Sequence, residues 1–154
     1  MPQIVKGVKN VFGWSLVGKD GKIVIPPEAF EEYSLGKDKQ AILIPGSKTS
    51  GGFGLSSKRI LEQSIMKDIL DKNSLLAEYK LPEGEIIKVN RKKYCWISIQ
   101  NDGSIALPEK TLRGYGIKTG DYLLSVRGSN FAIGFVARGP IFHEAKKHPE
   151  IEEF

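Results

Sequence analysis

Two hydrophobic rhythms alternate along the chain. In Tyr94-Cys95-Trp96-Ile97-Ser98-Ile99 the odd and even positions separate cleanly, the period-two signature of a pleated strand. The run Ile23-Val24-Ile25 predicts a shorter strand, bounded by the turn pair Asp20-Gly21 and by Pro26. That turn is expected to reverse the chain into a hairpin. Proline cannot donate to a strand ladder but suits a first helical turn, so "PPEAFEEYSL" (26–35) and "PEKTLRGYGI" (108–117) predict one or two helical turns each. Phe30 with Tyr33, and Leu112 with Tyr115, would share the buried face. Strands are expected again at "KQAILI" (39–44) and "DYLLSV" (121–126). Residues 57–80 change period: Leu61, Ile65 and Ile69, with Met66 and Leu70, form one apolar stripe and predict a helix. The tail from Pro140 predicts a shorter one, ended by Pro149.

The pattern occurs twice. "DGKIVIP" (20–26) returns as "DGSIALP" (102–108), and sliding the chain by 82 residues aligns 4–54 with 86–136 without a gap. Twelve of those 51 positions are identical, among them Trp14/Trp96, Ile23/Ile105, Pro26/Pro108, Tyr33/Tyr115, Gly52/Gly134 and Phe53/Phe135. Ordinary composition would give about three. The chain is therefore an internal duplication: repeat 1 (4–54), a helical connector (55–85), repeat 2 (86–136) and a helical tail (137–154). The repeats are expected to form one compact domain, since two copies suit a pseudo-twofold pair better than a solenoid.

The order of Asp-Gly turn, "I-x-[IL]-P", helical turn, apolar residue and strand resembles the AbrB/SpoVT family of swapped-hairpin DNA-binding domains, which includes MazE-type antitoxins. "DGSIALPEKTLRGYGIKTGDYLLSVRG" carries the likeness best. The resemblance implies a mainly β fold with added helices, in which two AbrB-like repeats of one chain build an intramolecular pseudo-dimeric swapped-hairpin β-barrel. A homodimer pairing each repeat with its counterpart is the other arrangement. The likeness also implies double-stranded DNA as partner and a role in transcription regulation. The family's basic positions carry over at Lys22 and Arg113; others hold Ser104, Phe30, Glu31 and Leu112, and Glu31-Glu32 would repel phosphate.

Charge adds other candidates. The 154-residue chain has a formal net charge of +5, and the excess sits mainly in repeat 2, where "KVNRKK" (88–93) has no acid. Lys6, Lys9, Lys88, Arg91, Lys92 and Lys93 would form two related basic tips, with Lys19 in the first Asp-Gly turn. Such tips suit phosphate contacts rather than base reading. The alternative is a non-enzymatic module that keeps the barrel without DNA binding and engages a ligand, another copy or a protein partner through the 57–80 helix.

Other chemistry is not indicated. "GSKTSGGFG" (46–54) lacks the Gly-Lys pair of a phosphate loop and reads as a structural turn. His143 and His148 lack the further ligands a metal needs. Cys95 reads as a buried apolar thiol. No catalytic residues, metal or cofactor are expected. No stretch approaches the ~18 apolar residues of a membrane span, and "MPQIVKGVKN" has no signal-peptide core. A cytoplasmic protein is expected.

Overall fold

The structure, a computed structural model, describes residues 3–4 and 10–154, with side chains from residue 11 onward. The protein is mainly β with several helices. Repeat 1 supplies β1 (Gln3–Ile4), β2 (Asn10–Leu16), β3 (Lys22–Val24), α1 (Pro27–Glu32), β4 (Gln40–Pro45) and β5 (Phe53–Ser56). The connector holds α2 (Lys58–Glu62), α3 (Lys67–Lys72) and α4 (Ser74–Ala77). Repeat 2 follows with β6 (Ile87–Val89), β7 (Lys92–Ser98), β8 (Ser104–Ala106), α5 (Glu109–Gly114), β9 (Tyr122–Ser129) and β10 (Ala132–Val136). The tail forms α6 (Pro140–Ala145).

Eight strands make one antiparallel sheet in the order β1-β2-β9-β10-β5-β4-β7-β6. Each hairpin keeps its own partner and then joins a strand of the other repeat. The order reads the same from either end once repeats are exchanged, and the joins between repeats share their register, Trp14 opposing Leu124 as Trp96 opposes Ile42. The hairpins differ: Leu124 opposes Val136 but Ile42 opposes Ser56. At the centre the repeats' equivalent residues meet each other, Phe53 opposite Phe135 in the sheet and Ile23 opposite Ile105 in the separate β3–β8 ribbon. The two phenylalanines stack with ring centroids 5.0 Å apart. Among the described residues the pairing does not close into a ring; β1 and β6 stand at its two ends.

Apolar side chains explain the layers. One face of the sheet carries Leu43, Phe53, Leu55, Cys95, Ile97, Leu123, Ile133 and Phe135 into a core shared with Ile23 and Ile105 of the ribbon and with Tyr33, Leu112 and Tyr115 of the helical turns. Complete burial of each large apolar side chain contributes about 1.5–3 kcal/mol. The opposite face is covered in two places. Leu61, Leu70 and Leu76 of the connector lie on Ile42, Ile44 and Tyr94, while Ala145 and Ile151 of the tail lie on Val11, Leu124 and Val126. Ala41 to Ile44 are buried on both faces, which is why that segment is continuously apolar.

Two sequence expectations are corrected. The Asp-Gly turn does not join a hairpin. Gly18 N–H donates to Lys22 O and Gln100 N–H to Ser104 O, each at 2.8 Å, closing local loops. The strands on either side do not pair, because β2 is engaged by β9 and β3 leaves the sheet for β8. Residues 57–80 are not one helix. The Ser64 hydroxyl donates to Leu61 O (2.8 Å) and accepts from Met66 N–H (3.0 Å), displacing the helical ladder. Asn73 ends α3 by donating to Ile69 O (2.8 Å). Leu61 and Leu70 are buried as the stripe requires, but Ile65, in the break, is 88% exposed.

Candidate nucleic-acid interface

Repeat 2 presents its basic residues on the β6–β7 hairpin. Asn90 and Arg91 form the two-residue turn, both with positive φ (52° and 68°), the type I′ geometry that matches strand twist. Lys88 lies opposite Lys93 and Val89 opposite Lys92. Side chains alternate across the sheet, so Lys88 and Lys93 share one face while Lys92 points to the other. Of the Lys88–Lys93 pair, Lys93 has a partner: its Nζ donates to Gly114 O, 2.6 Å away at the end of α5. Lys93 is thus spent on holding the hairpin to α5. Lys88, Arg91 and Lys92 are exposed, and no carboxylate among the described residues pairs with them.

Further contacts make the hairpin and α5 one lobe. Thr111 Oγ1 donates to Gly84 O at 2.6 Å. Gly114 lets the Ile86 side chain approach; a Cβ there would lie 2.3 Å from Ile86 Cδ1. The same α5 carries Lys110 and Arg113, both exposed, with Arg113 lining a cleft beside Asp20 and Gly21. Arg113 pairs with Glu109 one turn earlier, at 3.2 Å. Lys110 has no counterpart in the repeat, where Glu28 stands, and the duplication therefore gave no signal for it.

The other candidates lie apart from this lobe. Lys19 and Lys22 line a cleft with Asn101 and Asp102 beside the β3–β8 ribbon. Lys22 is neutralised by Asp102 at 2.9 Å. The Asp102 carboxyl is held down at about 2, first by the Ser104 hydroxyl that donates to it and then by Lys22. Lys19 is exposed on the turn Lys19–Gly21. Lys6 and Lys9 lie outside the described residues, so the structure describes only one of the two expected tips.

The acids of α1 are not an open repulsive pair. Arg127 donates two hydrogen bonds of 2.6 Å to Glu32, lowering its carboxyl pKa. Arg127 occupies the repeat position of Pro45, and neither the duplication nor local sequence marked it. Glu31 remains exposed. Elsewhere, burial pushes the Cys95 thiol up to about 12, and it lies 3.9 Å from the Tyr115 hydroxyl. The Gly-Ser turn is closed locally, Ser50 N–H donating to Ser47 Oγ and Gly51 N–H to Ser47 O. His148 Nδ1 lies 2.8 Å from Glu150.

Compared with models of known protein families and with curated proteins, the chain matches none.

Proposed function

We propose that this chain is a DNA-binding regulator built as a fused pair of AbrB/SpoVT-type units, a pseudo-dimer in one polypeptide. The palindromic strand order and the meeting of Phe53 with Phe135 and Ile23 with Ile105 support that reading. The observation that carries the binding assignment is the unneutralised charge of Lys88, Arg91 and Lys92 on a hairpin fastened to α5. Exposed cations without counter-ions are suited to phosphate and cost no ion pair on binding. Few side chains fit for base edges accompany them, so the contact is chiefly to the backbone.

The test compares two charge-matched variants on random-sequence duplex DNA. Lys88→Ser/Arg91→Ser/Lys92→Ser should weaken binding by at least about a hundredfold at low salt. Lys67→Ser/Lys72→Ser/Lys80→Ser, on the connector, removes the same charge and should weaken it by less than about fivefold. Equal losses would assign the binding to net charge alone.

A second reading has one observation in its favour. Ile65 and Leu75 of the connector are 88% and 54% exposed, as a protein-contacting surface would be. Absence of DNA binding would favour it.

A further inference from the structure

The duplication supplies a comparison within the molecule. Trp14 and Trp96 occupy the same place in the two repeats, and their surroundings match in two respects. Each meets an aromatic ring edge-on, Phe142 at 5.1 Å for Trp14 and Tyr79 at 5.5 Å for Trp96. Each backbone carbonyl accepts from a neighbouring segment, Trp14 O from Phe154 N–H (2.7 Å) and Trp96 O from Gly84 N–H (2.9 Å). The third respect differs. Trp96 Nε1 donates to Leu81 O at 2.7 Å. For Trp14 Nε1 no acceptor is present among the described residues, and the indole lines a cleft of about 590 Å³.

The cleft lies between the end of β9 and the tail, walled by Trp14, Tyr122, Phe142 and Ile151. Its charged groups are engaged. Asp121 accepts from Lys118 N–H at 2.9 Å, and the charge of Glu153 beside the Tyr122 hydroxyl raises its pKa. Lys146 Nζ rests 4.8 Å from the centre of the Phe142 ring, and His148 pairs with Glu150. What remains open is one neutral donor above aromatic surface. Such a site calls for a neutral carbonyl with an apolar group attached, because a buried or half-buried donor gains most from an acceptor that brings no charge to desolvate.

We propose that the Trp14 cleft binds a short peptide segment, its backbone carbonyl accepting from Trp14 Nε1–H and its apolar side chain lying on Phe142 and Tyr122. Repeat 2 shows the arrangement already made in cis: Tyr79-Lys80-Leu81 supplies ring and carbonyl to Trp96. This site is separate from the basic lobe and does not depend on DNA binding.

The test uses the full chain labelled with ¹⁵N, its two indole signals assigned by Trp14→Phe and Trp96→Phe. The Trp96 indole proton should exchange slowly with solvent and the Trp14 proton fast. Adding acetyl-Glu-Tyr-Lys-Leu-Pro-amide, the sequence of residues 78–82, should move the Trp14 signal saturably and leave the Trp96 signal in place. Tyr122→Ala, at a residue 43% exposed, should weaken that binding at least about fivefold without altering the rest of the spectrum. Three outcomes would overturn the proposal: equal protection of both indoles, no Trp14 shift up to about 5 mM peptide, or an equal shift with acetyl-triglycine-amide, which offers carbonyls without apolar side chains.

Discussion

Repeat-equivalent residues need not carry equivalent loads. Gly21 and Gly103 both have positive φ, 73° and 80°. A Cβ on Gly21 would lie 2.0 Å from Leu107 O, whereas on Gly103 the nearest atom is Phe30 Cδ2 at 3.9 Å. Gly103→Ala should therefore lose only the left-handed backbone cost of roughly 1–2 kcal/mol. Gly21→Ala should lose more than about 3 kcal/mol, since backbone must move; urea denaturation of the two variants measures the difference. A buried polar pair makes a similar case. Ser15 Oγ lies 2.9 Å from Ser125 Oγ and also donates to Val24 O at 2.9 Å. Ser15→Ala strands both partners and should cost roughly 1–3 kcal/mol. The duplication made Gly21 and Gly103 visible in the sequence but not which one touches backbone. That depends on the ribbon's crossing, which involves residues more than 80 positions away. Lys93 was legible as a basic residue, yet its role is structural, because only the fold brings Gly114 O to its ammonium.

At the scale of elements, strands were far easier to read than the connector. Alternation and the repeat located the β7 strand and the helical turns, and the proline at each turn's start marked its boundary. The connector's apolar spacing was real, and Leu61 and Leu70 are buried, but Ser64 and Asn73 compete for backbone groups and divide it. Side-chain capping of that kind is local chemistry that periodicity does not register. The connector is held to repeat 1 by one side chain above all. Arg59 donates to both Asp38 oxygens (3.3 and 2.8 Å) and to Tyr33 O and Ser34 O (3.0 and 3.1 Å). Arg59→Ala should cost roughly 2–3 kcal/mol, and Arg59→Lys should recover only part, lacking the planar fork. Hydrogen exchange should show the loss as faster opening of α2 to α4, with the central strands unchanged.

Over the whole molecule, the pairing of each hairpin with the other repeat means that neither half holds a complete sheet, and unfolding is expected to be one transition. Its pH dependence has a defined sign. Burial raises Cys95 from 9.0 and Tyr33 from 10.0, each to about 12, and raises Tyr115 as well. The folded chain therefore keeps protons that the unfolded chain releases above pH 9, so the contribution of these groups is full below that point and falls as pH rises toward about 12. Denaturation midpoints at successive alkaline pH values should decline progressively, and a flat profile would contradict the buried placement of these groups. The duplication was legible in sequence at whole-molecule scale, and with it the idea of a symmetric pair. The one-sidedness of the charge was only half legible, since Lys22 finds the carboxylate of Asp102, 80 positions away in sequence. The central claim, that the hairpin lobe holds DNA by its phosphates, is tested most directly by the salt dependence of binding to random duplex DNA. Three hairpin cations predict that log K falls with log salt at a slope near −3, from about 0.9 per phosphate, and that Arg91→Ser/Lys92→Ser flattens it by about 2. A slope unchanged by those substitutions, or no binding at low salt, would contradict it.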